Sequence, residues 1–198
     1  MPGSTNKSIL SSMNLYPNHL FHIYNRGNNR QQIFFNRGNY LLFLKKIRIK
    51  ILPEADILTY CLMPNHFHLM ISTNENFDKQ SCSNAFRNVL SSYTQAVNLM
   101  ENRTGSLFTQ NTKSKPLTQQ LYAQTCFHYI HQNPVKSGLV ERLNHWEFSS
   151  FQDYAGLRNG TLCNQEMARR FLDMPESGKE FENLSYRVID PERVKLIF

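Results

Sequence analysis

The sequence predicts an α+β domain, a ferredoxin-like (RRM-like) βαββαβ sandwich whose sheet is open on one face. Patterned segments follow one another as strand, helix, strand, strand, helix, strand. Pro64-Asn65 sits as a tight turn between two apolar runs, the signature of a hairpin. His66 and His68 then lie two apart in a strand, so both imidazoles project to one face while Phe67, Leu69 and Ile71 project to the other. One face packs, and the other presents histidines.

Residues 1–18 form a polar N-terminal segment, and the fold is expected to begin after Pro17. Residues 20–24 (Leu-Phe-His-Ile-Tyr) read as a strand, ended by the turn formers Asn25-Arg26-Gly27-Asn28-Asn29. Leu41, Leu44, Ile47 and Ile51 recur at helical spacing, and Pro53 closes that segment, which predicts a helix over 39–52. Strands over 57–63 and 66–72 make the hairpin, and a polar linker covers 73–83. Phe86, Val89, Leu90, Tyr93, Val97 and Met100 mark a long amphipathic helix ending near Gly105. Residues 106–108 are expected as a short strand and Lys113-Ser114-Lys115-Pro116 as a basic loop. Thr118 is the expected N-cap of a helix over 119–132 that stops before Pro134. Trp146, Phe148, Phe151 and Tyr154 form an aromatic wrap against it. The tail, residues 159–198, carries one weak helix over 165–172.

Composition narrows the function classes. The 198 residues are 40% hydrophobic and 19% charged, as in a soluble globular protein, and the longest apolar run, Tyr40-Leu41-Leu42-Phe43-Leu44, is too short to span a bilayer. The N-terminus lacks the hydrophobic segment of a secretory signal, so a cytoplasmic location without membrane partners is expected. The four cysteines form no CxxC pair and read as reduced, buried thiols. The net charge of +7 is uneven: no acidic residue precedes Glu54, whereas eight basic residues do. Up to residue 158 there are 16 basic against 8 acidic residues, and beyond it 6 against 7. A basic body attracts a polyanion, nucleic acid above all.

His66 and His68 read as half of a metal site, an arrangement that in a strand is about as often structural. Two imidazoles on one face can converge on a cation, and Asn133 is the candidate third ligand. Tyr129 and Asn133 are at i and i+4, so a helix laid over the open face brings both to the histidines. A tyrosine beside a metal suggests covalent phosphoryl transfer, although a phenol with an ordinary pKa of about 10 needs help to attack. His128 and His131 flank the tyrosine; they are candidates for proton transfer, or are there because a helix C-terminus favours histidine.

In this order, Phe21-His22-Ile23-Tyr24-Asn25-Arg26-Gly27, Tyr60-Cys61-Leu62-Met63-Pro64-Asn65-His66-Phe67-His68, Gly105-Ser106-Leu107-Phe108 and 129–139 (Tyr-Ile-His-Gln-Asn-Pro-Val-Lys-Ser-Gly-Leu) resemble the motifs of the REP-associated tyrosine transposases, within the single-tyrosine HUH superfamily. The likeness spans residues 20–155, within a transposase domain placed at 19–158. It implies a nuclease and strand transferase acting on single-stranded DNA at hairpins. His66 and His68 fall on the metal ligands, Asn133 on the third ligand, and Tyr129 on the nucleophile that forms a 5′-phosphotyrosine. The ion implied is Mg2+ or Mn2+; a set of two imidazoles and one amide suits a fairly hard ion without excluding zinc. Arg26, Asn28, Asn29 and Arg30, near a strand end, and Lys113 and Lys115 are the DNA-contact candidates. Relatives often carry an arginine after the position of Phe108, where this chain has the neutral Thr109-Gln110-Asn111-Thr112. Both monomers acting in cis and homodimers exchanging the tyrosine helix occur among such enzymes. Two other readings stay open: a domesticated binder of structured single-stranded DNA or RNA that does not cut, and a zinc hydrolase that uses water.

Overall fold

A computed structural model describes residues 13–195. Residues 1–12, most of the expected polar N-terminal segment, lie outside the described residues. Four antiparallel strands form one sheet: β1 (Leu20–Arg26), β2 (Asp56–Met63), β3 (His66–Ser72) and β4 (Lys113–Pro116), in the order β2-β3-β1-β4. Helices α1 (Arg37–Lys50) and α2 (Lys79–Met100) lie between the strands in sequence and pack on each other, and α3 (Gln120–Lys136) follows β4. This is the expected ferredoxin-like order.

The strand period divides the sheet as expected. Phe21, Ile23, Phe67, Leu69 and Ile71 are fully buried in the core, where Phe43 of α1 meets Phe67 with ring centroids 5.1 Å apart. Burying each such side chain contributes about 1.5–3 kcal/mol. On the opposite face His22, Tyr24, His66 and His68 share one side of β1 and β3, with Tyr24 paired to His68 in the register. Helix α3 crosses that face against β2 and β3.

Several boundaries differ from the expectations. The fourth strand is not 106–108, which makes only a single bridge between Gly27 and Phe108, but Lys113–Pro116, expected as a loop. Lys-Ser-Lys-Pro is a poor strand by propensity. It pairs because the edge of β1 offers a backbone ladder, and lysines and proline suit an edge that must not recruit a further strand. Helix α2 starts at Lys79, within the expected linker, because Asp78 caps the Gln80 and Ser81 amides at 2.7 and 3.1 Å. Helix α3 begins after Gln119 rather than Thr118 and runs on through Pro134 to Lys136. The core also reaches back before Pro17, with Met13 and Leu15 buried.

Beyond α3, α4 (Phe151–Tyr154) and the tail helices α5 (Gln165–Leu172), α6 (Gly178–Ser185) and α7 (Pro191–Lys195) follow. The tail packs on α3: Phe181 is fully buried against Phe127, Phe151 and Tyr154, with ring centroids 5.4–6.1 Å away. Gln132 Nε2 donates to the carbonyls of Ser185 and Arg187 at 2.8 and 2.9 Å. The four cysteines are free thiols and buried. Among the described residues no helix is long and apolar enough to cross a membrane.

Candidate active site

Strands β1 and β3, the Pro64-Asn65 turn, the loop 109–111 and α3 enclose a cleft of about 1060 Å³. His66, His68, Tyr129, Arg26, Arg30 and Lys113 all line it, and no carboxylate does among the described residues. The imidazoles of His66 and His68 have centroids 4.9 Å apart and planes at 83°, a T-shaped arrangement. The Tyr129 ring stands 6.1 Å from His68, nearly perpendicular to it. Strand spacing and a helix laid across it thus bring the two halves of the site together.

Each histidine is oriented by a neighbour. His66 Nδ1 lies 2.6 Å from Asn65 Oδ1, an acceptor, which places the proton on Nδ1 and the lone pair on Nε2. His68 Nδ1 lies 2.9 Å from His22 Nε2. When His68 donates in that bond, its Nε2 is the basic nitrogen. Histidines that bind metals are commonly held in this way, by a hydrogen bond to the other ring nitrogen. Burial lowers the pKa of His66 to about 4. It also takes His68 well below its ordinary value, helped by His22 and His66. Both imidazoles are therefore neutral at pH 7, the form that binds a cation. Among the described residues no cluster of three or more His, Cys, Asp or Glu could hold a metal, so the third protein donor would have to be of another type. The donor chemistry fits a divalent ion held by two imidazoles and an amide.

Asn133 is buried one turn beyond Tyr129, outside the cleft lining. Its Nδ2 donates to the carbonyls of Tyr129 at 3.0 Å and Ile130 at 3.5 Å. That explains how α3 passes Pro134. Proline has no N–H for the Ile130 carbonyl four residues back, a defect worth about 3 kcal/mol in a helix interior, and the Asn133 amide offers a replacement donor. The expected third ligand is thus buried within α3, outside the cleft that His66, His68 and Tyr129 line.

Of the DNA-contact candidates, Arg26 and Arg30 border the cleft and are exposed. Asn28 and Asn29 lie just outside it, in a 3-10 turn; Asn29 and Arg30 adopt φ of 51° and 60°, the left-handed region that residues other than glycine seldom occupy. Lys113 lines the cleft, while Lys115 sits half-buried on β4 opposite His22. His128 and His131 do not line the cleft: both are buried on the side of α3 that meets β2 and the tail. Among the described residues the tail supplies none of the lining either.

Three residues were missed from the sequence. His22 and Tyr24 alternate with Phe21 and Ile23 on β1, so the same period-2 argument that picked out His66 and His68 applies to them. Lys136 is seven residues after Tyr129, two helical turns on, and its Nζ lies 5.2 Å from the Tyr129 ring centroid. Burial lowers the pKa of Lys136 and raises that of Tyr129, with Cys126 adding to the latter. The phenol is thus protonated at neutral pH, under an ammonium that favours its ionised form.

Residues 15–133 match the family described as "Transposase IS200 like". The chain belongs to the IS200-like transposase family. The matched span takes in β1, both cleft histidines, Tyr129 and Asn133, so every element that builds the cleft lies in the family region apart from the last residues of α3 and the segment after it. No curated protein matches the chain. Among solved structures, the transposase fold is similar to that of a REP-associated tyrosine transposase bound to a REP hairpin, with 21% identity and a TM-score of 0.56 over 73% of this chain and 84% of the other.

Proposed function

We propose that this IS200-like transposase cleaves and rejoins single-stranded DNA at hairpins through a 5′-phosphotyrosine at Tyr129, with His66, His68 and Asn133 holding Mg2+ or Mn2+. The observation that carries the reading is Tyr129 standing beside His68 in a basic cleft that no carboxylate lines among the described residues. The neighbour's REP hairpin supports the choice of substrate. Arg26, Asn28, Asn29, Arg30, Lys113 and Lys115 contact the DNA, the arginines and Lys113 as partners of phosphates at the cleft. Residues 19–158 form the catalytic domain of a chain whose tail is 159–198, and the described part of that tail, 159–195, braces α3 from behind. The chain acts in the cytoplasm, where its DNA is. The enzyme works as a monomer that uses its own Tyr129, or as a homodimer that exchanges α3.

A divalent ion in this site supplies Lewis-acid polarisation of the scissile phosphate. Tyr129 Oη forms the bond to phosphorus while the bond from phosphorus to the 3′ oxygen breaks. The phenol proton is lost, the 3′ oxygen gains one, and phosphorus remains on its 5′ oxygen. The Lys136 ammonium over the ring lowers the cost of phenolate in a buried position. A 3′-hydroxyl attacking the phosphotyrosine reverses the step, so rejoining needs no nucleotide cofactor.

The test is a labelled hairpin with single-stranded flanks, incubated with Mg2+ or Mn2+. Wild type should give a denaturant-resistant covalent adduct and Tyr129→Phe none. An equal adduct from the Phe variant would overturn the assignment. Cleavage that survives Tyr129→Phe without an adduct would indicate water as nucleophile. Salt-sensitive hairpin binding without cleavage, unchanged by alanine at both histidines, would indicate a binder.

A further inference from the structure

The neutral loop after Phe108, Thr109-Gln110-Asn111-Thr112, stands between two cavities. Thr109, Gln110 and Asn111 line the catalytic cleft on one side. On the other they line a groove of about 620 Å³ against α2. The α2 wall of that groove includes Ser83, Arg87, Ser91, Gln95 and Asn98, spaced three or four apart and so on one stripe of the helix. The fifteen steps from Ser83 to Asn98, at about 1.5 Å each, make that stripe about 22 Å long. Phe86 and Phe108 supply apolar surface in the same groove, and no carboxylate lines it among the described residues.

The ends of the loop are fixed. Thr109 Oγ1 donates to Asn25 Oδ1 at 2.6 Å, Asn25 Nδ2 donates to Thr109 O and Thr112 Oγ1 at 3.2 and 3.0 Å, and the Thr109 amide donates to the Arg26 carbonyl at 2.8 Å. Between these anchors Gln110 and Asn111 are exposed. Carboxamides on a fixed support carry a donor and an acceptor each, the pairing that reads an adenine edge.

We infer that the loop 109–112 is a base-reading partition, over which a single DNA strand passes from the cleft into the α2 groove, with Gln110 and Asn111 on base edges and Arg87 on a phosphate. This rests on the DNA-cleaving reading above and names the surface that would give it sequence preference. Backbone contacts hold a strand without reading it, so the neutral loop is where discrimination arises.

The experiment measures the affinity of hairpins with single-stranded flanks, substituted base by base, for the Tyr129→Phe chain alone and with Gln110→Ala, Asn111→Ala or Arg87→Ala. Thermal melting of each variant confirms the fold. The two loop variants should flatten discrimination at one or two flank positions by about tenfold. Arg87→Ala should weaken all sequences alike and reduce the salt dependence by about one phosphate contact. A base profile that both loop variants leave unchanged, or flank binding indifferent to Arg87, would overturn the inference. If wild type still forms the covalent adduct, that failure leaves the catalytic reading standing. No single-strand binding at all would overturn both.

Discussion

Two pairs of histidines in this chain share an electrostatic state and differ in everything else. His66 and His68 on β3 open onto the cleft; His128 and His131 on α3 face away from it. Burial lowers the pKa of His66 and His128 to about 4, and takes His68 and His131 well below their ordinary value. A depressed pKa therefore does not distinguish ligand from scaffold here. Direction does. His131 Nε2 lies 2.8 Å from both Thr59 Oγ1 on β2 and Ser150 Oγ, while its ring packs against Phe127, Phe151 and Phe181. His128 Nδ1 lies 3.2 Å from Ser185 Oγ of the tail. The strand pair lines a cavity, and the helix pair fastens α3 to the sheet and tail so that Tyr129 meets them.

The sharpest break between the pairs is loss of the reaction. His68→Ala should abolish the covalent adduct and remove any rise in melting temperature with added Mn2+, because one of two imidazoles is gone. A persistent Mn2+-induced rise would show that the ion binds elsewhere. His131→Ala should do the reverse. It leaves Thr59 and Ser150 without their buried partner and opens a cavity among aromatic rings, a loss of about 2–4 kcal/mol in urea unfolding. The Mn2+ effect on melting should survive in that variant. Loss of the Mn2+ effect at intact stability would put His131 in the site and dissolve the comparison.

Their shared state predicts a shared pH dependence. An unfolded histidine takes its proton near pH 6.5, whereas folded His66 and His128 do so near 4. Between those values the unfolded chain holds more protons, so stability falls as pH is lowered from 6.5 toward 4. His68 and His131 extend that loss to lower pH. Above pH 7 none of the four contributes a slope. Urea unfolding across pH 4–7 checks this, and His128→Gln should make the slope shallower. A slope unchanged by that variant would place the proton uptake on other groups.

How much of this could be read beforehand follows the physics of each element. The hairpin with His66 and His68 was legible residue by residue, because a strand's period of two dictates which side chains share a face. Helical spacing put Tyr129 and Asn133 on one face of α3, but only Tyr129 lines the cleft; Asn133 is buried beyond it, turned to the backbone of its own helix. The fourth strand was not legible, since Lys113–Pro116 owes its conformation to the edge of β1 and not to its own residues. The course of α3 past Pro134 was hidden too, because it depends on an Asn133 side chain bonding backward to the helix. The sides taken by His128 and His131 needed the tail, whose packing leaves only a faint periodic trace in sequence. His22 and Tyr24 were readable and overlooked, which extends the comparison to β1.

His22 offers the finest test, since it supports the cleft pair without belonging to it. It is fully buried, and its Nε2 meets His68 Nδ1 at 2.9 Å. His22→Phe fills about the same space and removes the hydrogen bond to His68. Metal affinity should fall about tenfold, the lower end of what an orienting partner contributes, with a stability loss near 1 kcal/mol. Titrating Mn2+ against melting temperature or by calorimetry reads this directly. His128→Phe, an equally conservative change on the other pair, should leave the affinity alone. Equal losses from the two variants would mean that α3 and the strands transmit packing defects to the site indiscriminately. A loss from His22→Phe alone would assign β1 the task of aiming His68 at the ion.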